Sequence, residues 1–449
     1  METIDKTCSD AYRSSYAVIL SGGKGTRLYA LTARRAKPAV PMMGSYRMID
    51  FPMSNCARSE IDFVSILTQY EPDSLERHIK SGTPWGYDER NLAVRGPSEK
   101  RDGLMYYKGT AAAVREVQRR IQDKDSDLVL VLSGDHVYSE DYRKAMDDHK
   151  YNESDLTIYT KVVPLSEAPN FGVMKVNDHG RIMSFYEKPK DKDLLESFRM
   201  SDEAKKHLRI DSDEDLCLAS MGVYVFSPNV LYKELNAGGD DFGSEIIPRM
   251  INSGKDVYAY VFDGYWEDVG RLDKLVEANF FALNNPDKVF NRFLKTNSRD
   301  LPPAIGSAEN SILAPGVVIH PGAIVKNSVI GYQTEIFPGS VIENSILFGG
   351  DRHDMNYSRK IIAPRYSEVR SGAVLKNVLL DRNIVIDEGV ELVGKQDEAK
   401  LKASFESIGI KENNEDNSNG LYNITPNGVI VIGKPRYEEV CIFPKGFKA

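Results

Sequence analysis

The chain has 449 residues, 41% hydrophobic and 28% charged, with 58 basic against 66 acidic side chains and a net charge of −8. This is a globular composition with length for more than one domain, and it excludes collagen-like, disordered and disulfide-scaffold classes. The near balance of charge gives no basis for a nucleic-acid or membrane-surface partner, so an anionic substrate must be held by a local cluster of cations.

From Tyr16 onward short apolar runs alternate with amphipathic stretches, which predicts strands and covering helices. The first strand, Tyr16–Leu20, runs directly into SGGKGTRL (21–28). Gly22, Gly23 and Gly25 let backbone N–H groups approach a phosphate or a base edge, and Lys24 and Arg27 add positive charge. The spacing is not a Walker loop, which needs GKS or GKT. Nor is it a dinucleotide fingerprint, because Leu28 stands at the third glycine. Taken alone, the segment can also be read as a tight turn. Lys37, in KPA (37–39), supplies a second cation near the same sheet edge.

Phe63–Leu67 is the next strand, and GTAAAVREVQRRI (109–121) reads as a covering helix. Leu128–Leu132 is apolar throughout, as expected of a strand buried on both faces of a mainly parallel sheet. It ends in SGDH (133–136), which puts Asp135 where open α/β sheets bind ligands. Mg²⁺ typically takes one or two protein carboxylates with substrate phosphates and water, so Asp135 is a candidate ligand. The alternative is a cap on the following helix. His136 is read as a hydrogen-bonded structural residue.

Strands at Leu156–Val162, Val173–Val176 and Gly222–Phe226 complete the sheet, and FYEKP (185–189) sets Glu187 beside Lys188. Asp191–Asp215 is charged and is read as a surface insertion. DFG (241–243) spells a kinase triplet without the HRD and VAIK segments, which argues against a kinase. GYWEDVG (264–270) offers Asp268 as a second metal carboxylate. Loop, cations and two acids together suit phosphoryl or nucleotidyl transfer. The fold expected over residues 1–290 is an α/β, mainly parallel, Rossmann-like open sheet.

The boundary is expected near Asn285–Pro303, and residues 291–449 change period. Ile312, Val318, Ile324, Ile330, Ile336, Ile342 and Phe348 recur every six residues, and the step resumes at Val374, Leu380, Ile386 and Leu392. Pro-Gly pairs fall at 315, 321 and 338, and Asn-Ser at 310, 327 and 344. Such a step fits a solenoid of short parallel strands. Gly350–Glu368 and Lys411–Gly420 interrupt it and read as surface loops. Four dispersed cysteines, a polar N-terminus and no long apolar run predict a reduced, cytoplasmic protein.

In order, SGGKGTRL, RRAKPAVP, YRMIDFPMSNC, LTQY, YYKGTAAAV, LSGDHVY, FGVMKV, EKP, ASMGVYVF, DFGSEIIP and GYWEDVG resemble the bacterial glucose-1-phosphate adenylyltransferases, or ADP-glucose pyrophosphorylases. The resemblance implies a nucleotidyltransferase domain followed by a left-handed parallel β-helix. The implied reaction turns ATP and α-D-glucose 1-phosphate into ADP-glucose and pyrophosphate, with Mg²⁺, for glycogen biosynthesis. By the same resemblance Gly22, Gly23, Gly25, Thr26 and Arg27 hold the nucleotide, and Arg27, Lys37 and Asp135 are catalytic. Asp135 and Asp268 hold the metal, and Lys188 grips the sugar phosphate, with Tyr107, Gly172, Glu187 and Ser220 around the sugar.

Arg34, Arg35 and Arg47 match positions that bind sugar-phosphate or AMP effectors, and a homotetramer is implied. The chain departs from the family at Tyr106, where Trp is usual, at Pro97–Asp102, which lacks a common Gln, and at Pro41, a His in some members. The alternatives are a pyrophosphorylase for UDP- or dTDP-glucose, a non-catalytic regulatory subunit of the same fold, and a hexapeptide-repeat acyltransferase. The last is left little room by the N-terminal motifs.

Overall fold

The computed structural model describes residues 15–80, 82–97, 99–100, 103–104, 106–208, 210–290, 293–296, 302–350, 367–413, 420–433 and 442–449. Most of the loops expected at 350–368 and 411–420, and part of 97–102, lie outside these residues.

The apolar runs form the centre of a nine-stranded sheet. β1 (Ser15–Ser21) lies between β2 (Phe63–Thr68) and β4 (Leu128–Ser133), with β3 (Leu92–Arg95) outside β2, all in parallel. No residue of Tyr16–Ile19 or Leu128–Leu132 exceeds 2% exposure, which is why these strands lack an alternating pattern. Leu20 is level with Leu67 and with Ser133, so the carboxyl ends of β1, β2 and β4 open on one edge. That edge carries the glycine loop, Gln69 and Asp135.

Beyond β4 the sheet turns antiparallel. After the short β5 (His136–Tyr138) come β6 (Leu156–Pro164), β7 (Gly172–Val176), β8 (Ile182–Glu187), β9 (Leu216–Phe226) and β10 (Val257–Val261). β9 runs antiparallel to β4, β6 and β7, and β10 is parallel to β6. β3, β8 and β10, which the apolar runs did not predict, lie at the sheet's margins, where one-sided burial weakens the pattern. β11 (Trp266–Asp268) pairs with β5 and brings Asp268 level with His136.

The second half is a solenoid whose strands form sheets of six, five and four, parallel throughout except Tyr422–Ile424, which runs antiparallel at one edge of the six. Its coil is 17 residues long, since Asn310 bonds Asn327 and the Ser328 hydroxyl accepts from the backbone N–H of Ser345, each 17 residues on. The uniform six-residue step is therefore corrected. Leu313, Ile330, Leu347, Leu380 and Ile432 stack in one row, and Val325, Ile342, Leu375 and Leu392 in another. Within a coil two steps are of six and one of five, as from Val325 to Ile330. The short corner carries Asn310, Asn327, Asn344 and Asn377, all at φ between 41° and 53°, a left-handed conformation that asparagine tolerates. Ile324 thus faces outward at 45% exposure, and Val325 faces in.

One solenoid face is apolar on its outside too. Val329, Ile346, Leu379 and Val431 pack against Leu28, Leu31, Met42, Phe51 and the helix Leu272–Asn284, and every one of these contacts is buried. Among the described residues the last helical turn before the solenoid is Pro286–Val289. Among the described residues no helix is long and apolar enough to cross a membrane.

Candidate active site

A cleft of about 380 Å³ opens over the strand ends. It is lined by Gly22 and Gly23 after β1, Gln69 after β2, Asp135 after β4, Glu187 at the end of β8 and Lys188 just after it. Gly25 is left-handed at φ 64°, and a Cβ there would lie 2.9 Å from Thr32 Cγ2 and 3.0 Å from Lys37 Cβ. Glycine is thus required twice over, by conformation and by the approach of Lys37. A Cβ at Gly22 would sit 2.8 Å from Gln69 Oε1, while one at Gly23 would meet open space.

Lys37 and Asp268 meet Asp135 at the edge of the cleft, which Asp135 lines. Lys37 Nζ lies 2.7 Å from Asp135 Oδ2 and 3.2 Å from Asp268 Oδ1. Burial disfavours the ammonium, but the two carboxylates outweigh it and hold Lys37 above its ordinary pKa. Burial likewise works against the Asp135 charge. Lys37, His136 and a hydrogen bond from Ser133 prevail and hold Asp135 well below the usual carboxylate range. His136 Nδ1 accepts from Trp266 Nε1 at 3.3 Å, which leaves Nε2 facing Asp135 and Asp268 at 3.8 and 3.7 Å. That is the structural role expected of His136.

Among the described residues no group of three or more His, Cys, Asp and Glu converges as a ready metal site. A metal here would rest on Asp135, Asp268 and substrate oxygens, a donor set that suits a hard divalent cation. That the two carboxylates already converge on one cationic nitrogen shows that the donor set fits.

Across the cleft, Lys188 takes φ 49° and donates its backbone N–H to Phe171 O, while its side chain, 61% exposed, lies 3.3 Å from Glu187 Oε1. Tyr107 lines the wall, with its hydroxyl pushed up to about 12 by burial. Gly172 and Ser220 lie just behind. A Cβ at Gly172 would lie 2.7 Å from Glu187 Oε2, and the Ser220 hydroxyl accepts from Gly222 N.

Arg27 does not line the main cleft, though it stands near Asp268: a Cβ at Gly270 would lie 3.1 Å from Arg27 Nη2 and 3.6 Å from Asp268 Oδ1. Its guanidinium lies beside Gly270, where it lines a neighbouring cleft of about 550 Å³ with Arg271 and the late solenoid residues Asn423 and Thr425. Thr26 is exposed on the same turn. Arg35 and Arg47, matched to effector positions, lie inside the fold. Arg35 pairs with Asp381 of the solenoid at 2.6 Å, and Arg47 donates to Ser74 O and Oγ at 3.0 and 2.8 Å. Arg34 is half-buried.

Sequence reasoning passed over Thr110, Tyr224, Asp241 and Gly243, all in the lining, and gave Gln69 no role. Asp241 of the discounted DFG caps the short turn Phe242–Ile246 by accepting from Ser244 N at 2.9 Å, and it accepts from Thr110 Oγ1 at 3.0 Å. Burial opposes its ionisation, but those bonds keep its pKa lowered. A helix-cap reading of DFGSE was the available signal. Tyr106 stacks on Tyr70 at 4.6 Å, and Lys24 lies over the Tyr70 ring, which gives the glycine loop an aromatic flank.

Comparison with known proteins agrees with the two-part fold. A nucleotidyl transferase family model matches residues 16–285, and a GLGC left-handed parallel beta-helix domain model matches 299–436. A glucose-1-phosphate adenylyltransferase of Clostridium novyi (strain NT) is 38% identical over 340 residues, spanning 69% of this chain and 83% of its own length. One from Clostridium perfringens (strain SM101 / Type A) is 39% identical over 342 residues, spanning 69% and 82%. One from Clostridium acetobutylicum is 38% identical over 340 residues, spanning 69% and 84%.

Proposed function

Since the chain belongs to the glucose-1-phosphate adenylyltransferase family of nucleotidyltransferases, we propose that it joins ATP and α-D-glucose 1-phosphate into ADP-glucose and pyrophosphate, for glycogen synthesis in the cytoplasm. The observation that carries the reading is the convergence of Asp135, Asp268 and Lys37 beside a glycine loop, with a second cation, Lys188, on the facing wall.

Gly22, Gly23 and Gly25 carry no side chain where a polyphosphate would lie, and the Gln69 amide, which stands against Gly22, would read a base edge. Lys188 would hold the sugar phosphate, with Glu187, Tyr107, Tyr224 and the ionised Asp241 as hydrogen-bond partners for sugar hydroxyls. A phosphate oxygen of the sugar attacks the α-phosphorus in line. The new O–P bond forms as the α–β bridge breaks, and the electron pair leaves on pyrophosphate. The phosphate nucleophile is already ionised at neutral pH, so no general base is needed. Lys37 and, from the adjoining cleft, Arg27 would meet the charge that gathers on the leaving group.

The family implies a divalent metal, and we take it to be Mg²⁺, held by Asp135 and Asp268. When bound it would supply Lewis-acid stabilisation of the phosphoryl oxygens. The reading extends to a homotetramer controlled by a sugar phosphate or AMP. Arg34, half-buried, is the most accessible of the three arginines to an effector, because Arg35 and Arg47 are buried.

The test is pyrophosphate release from glucose 1-phosphate and Mg²⁺ with each nucleoside triphosphate in turn. ATP should be fastest by at least tenfold. A preference for UTP or dTTP would move the chain to another nucleotide-sugar, and no release with any of them would leave a non-catalytic subunit.

A further inference from the structure

Lys37 is set deeper than a residue that only greets a diffusing substrate would need. Its side chain is 8% exposed and leaves a buried turn, Lys37–Ala39, packed against the bare Cα of Gly25. The ammonium sits between the carboxylates at 2.7 and 3.2 Å, and His136 Nε2 stands off at 3.8 and 3.7 Å. A tethered cation thus fills the point where Asp135 and Asp268 converge.

A divalent ion needs those same oxygens at about 2.1 Å. An ammonium left within hydrogen-bond reach of both would then face it at very short range in a poorly solvated site, where like charges repel strongly. Nor can the lysine simply go, because a buried charge stripped of its partners is costly. It needs another anion within reach of its side chain, and a polyphosphate on the glycine loop is that anion, since Gly25 touches the Lys37 stem.

We infer that Lys37 is an exchangeable counter-ion: the divalent cation enters by displacing its ammonium from Asp135 and Asp268, and the freed ammonium transfers to the nucleotide phosphates. The inference rests on the metal role proposed for the two carboxylates. It makes the free enzyme a poor metal binder and couples metal and nucleotide through one side chain. Lys37 neutralises the carboxylates before substrate arrives and the leaving group after.

The probe is Mn²⁺ alone, titrated into the full-length chain without nucleotide and followed by its free EPR signal. Lys37→Gln should bind Mn²⁺ at least tenfold tighter than wild type, and Lys37→Arg, which keeps a cation, should stay as weak as wild type. The unmodified protein gives a second readout that needs no variant to fold. An amine-acylating reagent, mapped by peptide mass spectrometry, should label Lys37 several-fold faster with saturating Mn²⁺. Equal or weaker binding by Lys37→Gln, or labelling that Mn²⁺ leaves unchanged, overturns the exchange. Asp135→Asn separates the two possible failures. If it abolishes Mn²⁺ binding while Lys37→Gln fails to tighten it, the carboxylate site stands and only the exchange falls. If Mn²⁺ binding is indifferent to Asp135→Asn, the metal reading falls as well.

Discussion

His149 shows how this fold treats an ionisable group it does not use for chemistry. The ring is 2% exposed and lies between Thr157 Oγ1 at 2.9 Å and Ser227 Oγ at 3.1 Å. Ser227 spends its own proton on Ser154 O, so its oxygen accepts from His149 Nε2 and Nδ1 accepts from Thr157. Both bonds suit the neutral ring, and burial pushes its pKa down to about 4. The unfolded chain, near 6.5, therefore binds the extra proton first, and stability falls as pH drops from 6.5 toward 4, by roughly 2 kcal/mol at pH 5. Glu140 and Glu267, raised by burial to about 7, act in the opposite sense over the same range. The wild-type pH curve alone will therefore not isolate the histidine. His149→Gln should be less stable than wild type at pH 7 by urea denaturation, with a gap narrowed by roughly 2 kcal/mol at pH 5; a gap independent of pH would refute the neutral ring. At this scale Asp135 and Asp268 were legible as candidates because each sits beside a strand end marked by glycine or aromatic neighbours, whereas Glu187 and Lys188 read as a solvated pair until the family resemblance gave them a role. Thr110, Tyr224 and Asp241 were not, because only the register of β9 and the docking of the helix Thr110–Gln122 bring them to the cleft.

At the scale of elements, the solenoid was legible as a solenoid and misread by one residue per coil. Apolar positions near every sixth residue survive a 17-residue coil for only a few steps, so Ile312, Val318 and Ile324 matched a pattern whose inward row starts one residue later. The Asn-Ser pairs at 310, 327 and 344 carried the true period, because they mark the short corner itself. Their serines form a ladder. Ser345 N donates to Ser328 Oγ at 3.2 Å, and Ser345 Oγ accepts from Val378 N at 3.2 Å while donating to Glu343 O at 2.8 Å. Ser345 is fully buried, so Ser345→Ala strands the Val378 N–H and should cost about 1–3 kcal/mol in a denaturation midpoint. Ser311→Ala, on the more open first rung, should cost less, since water can replace its hydroxyl. Equal losses at both positions would mean that the ladder does not stabilise the corner.

At the scale of the whole molecule the two halves share a core, and nothing periodic announced it. The outward Val329, Ile346, Leu379 and Val431 look, in sequence, like a spare apolar neighbour beside each inward residue. They become interpretable only once the helix Leu272–Asn284 and the segment after the glycine loop cover them. Across this seam Arg35, two residues before Lys37, meets Asp381 at 2.6 Å with both side chains at most 4% exposed. A shared apolar core and a buried ion pair should make the chain unfold as one unit. The two tryptophans, Trp85 and Trp266, both lie in the N-terminal half, so their fluorescence reports that half alone, while far-UV circular dichroism reports both. In wild type the two signals should share one urea midpoint. Asp381→Asn removes the carboxylate charge and leaves the Arg35 guanidinium buried beside an amide, a loss of about 3 kcal/mol. The cost falls on the seam rather than on either core, so the two signals should part, with the fluorescence midpoint moving lower. Separate midpoints already present in wild type would show that the halves fold independently and that the seam carries little of the stability.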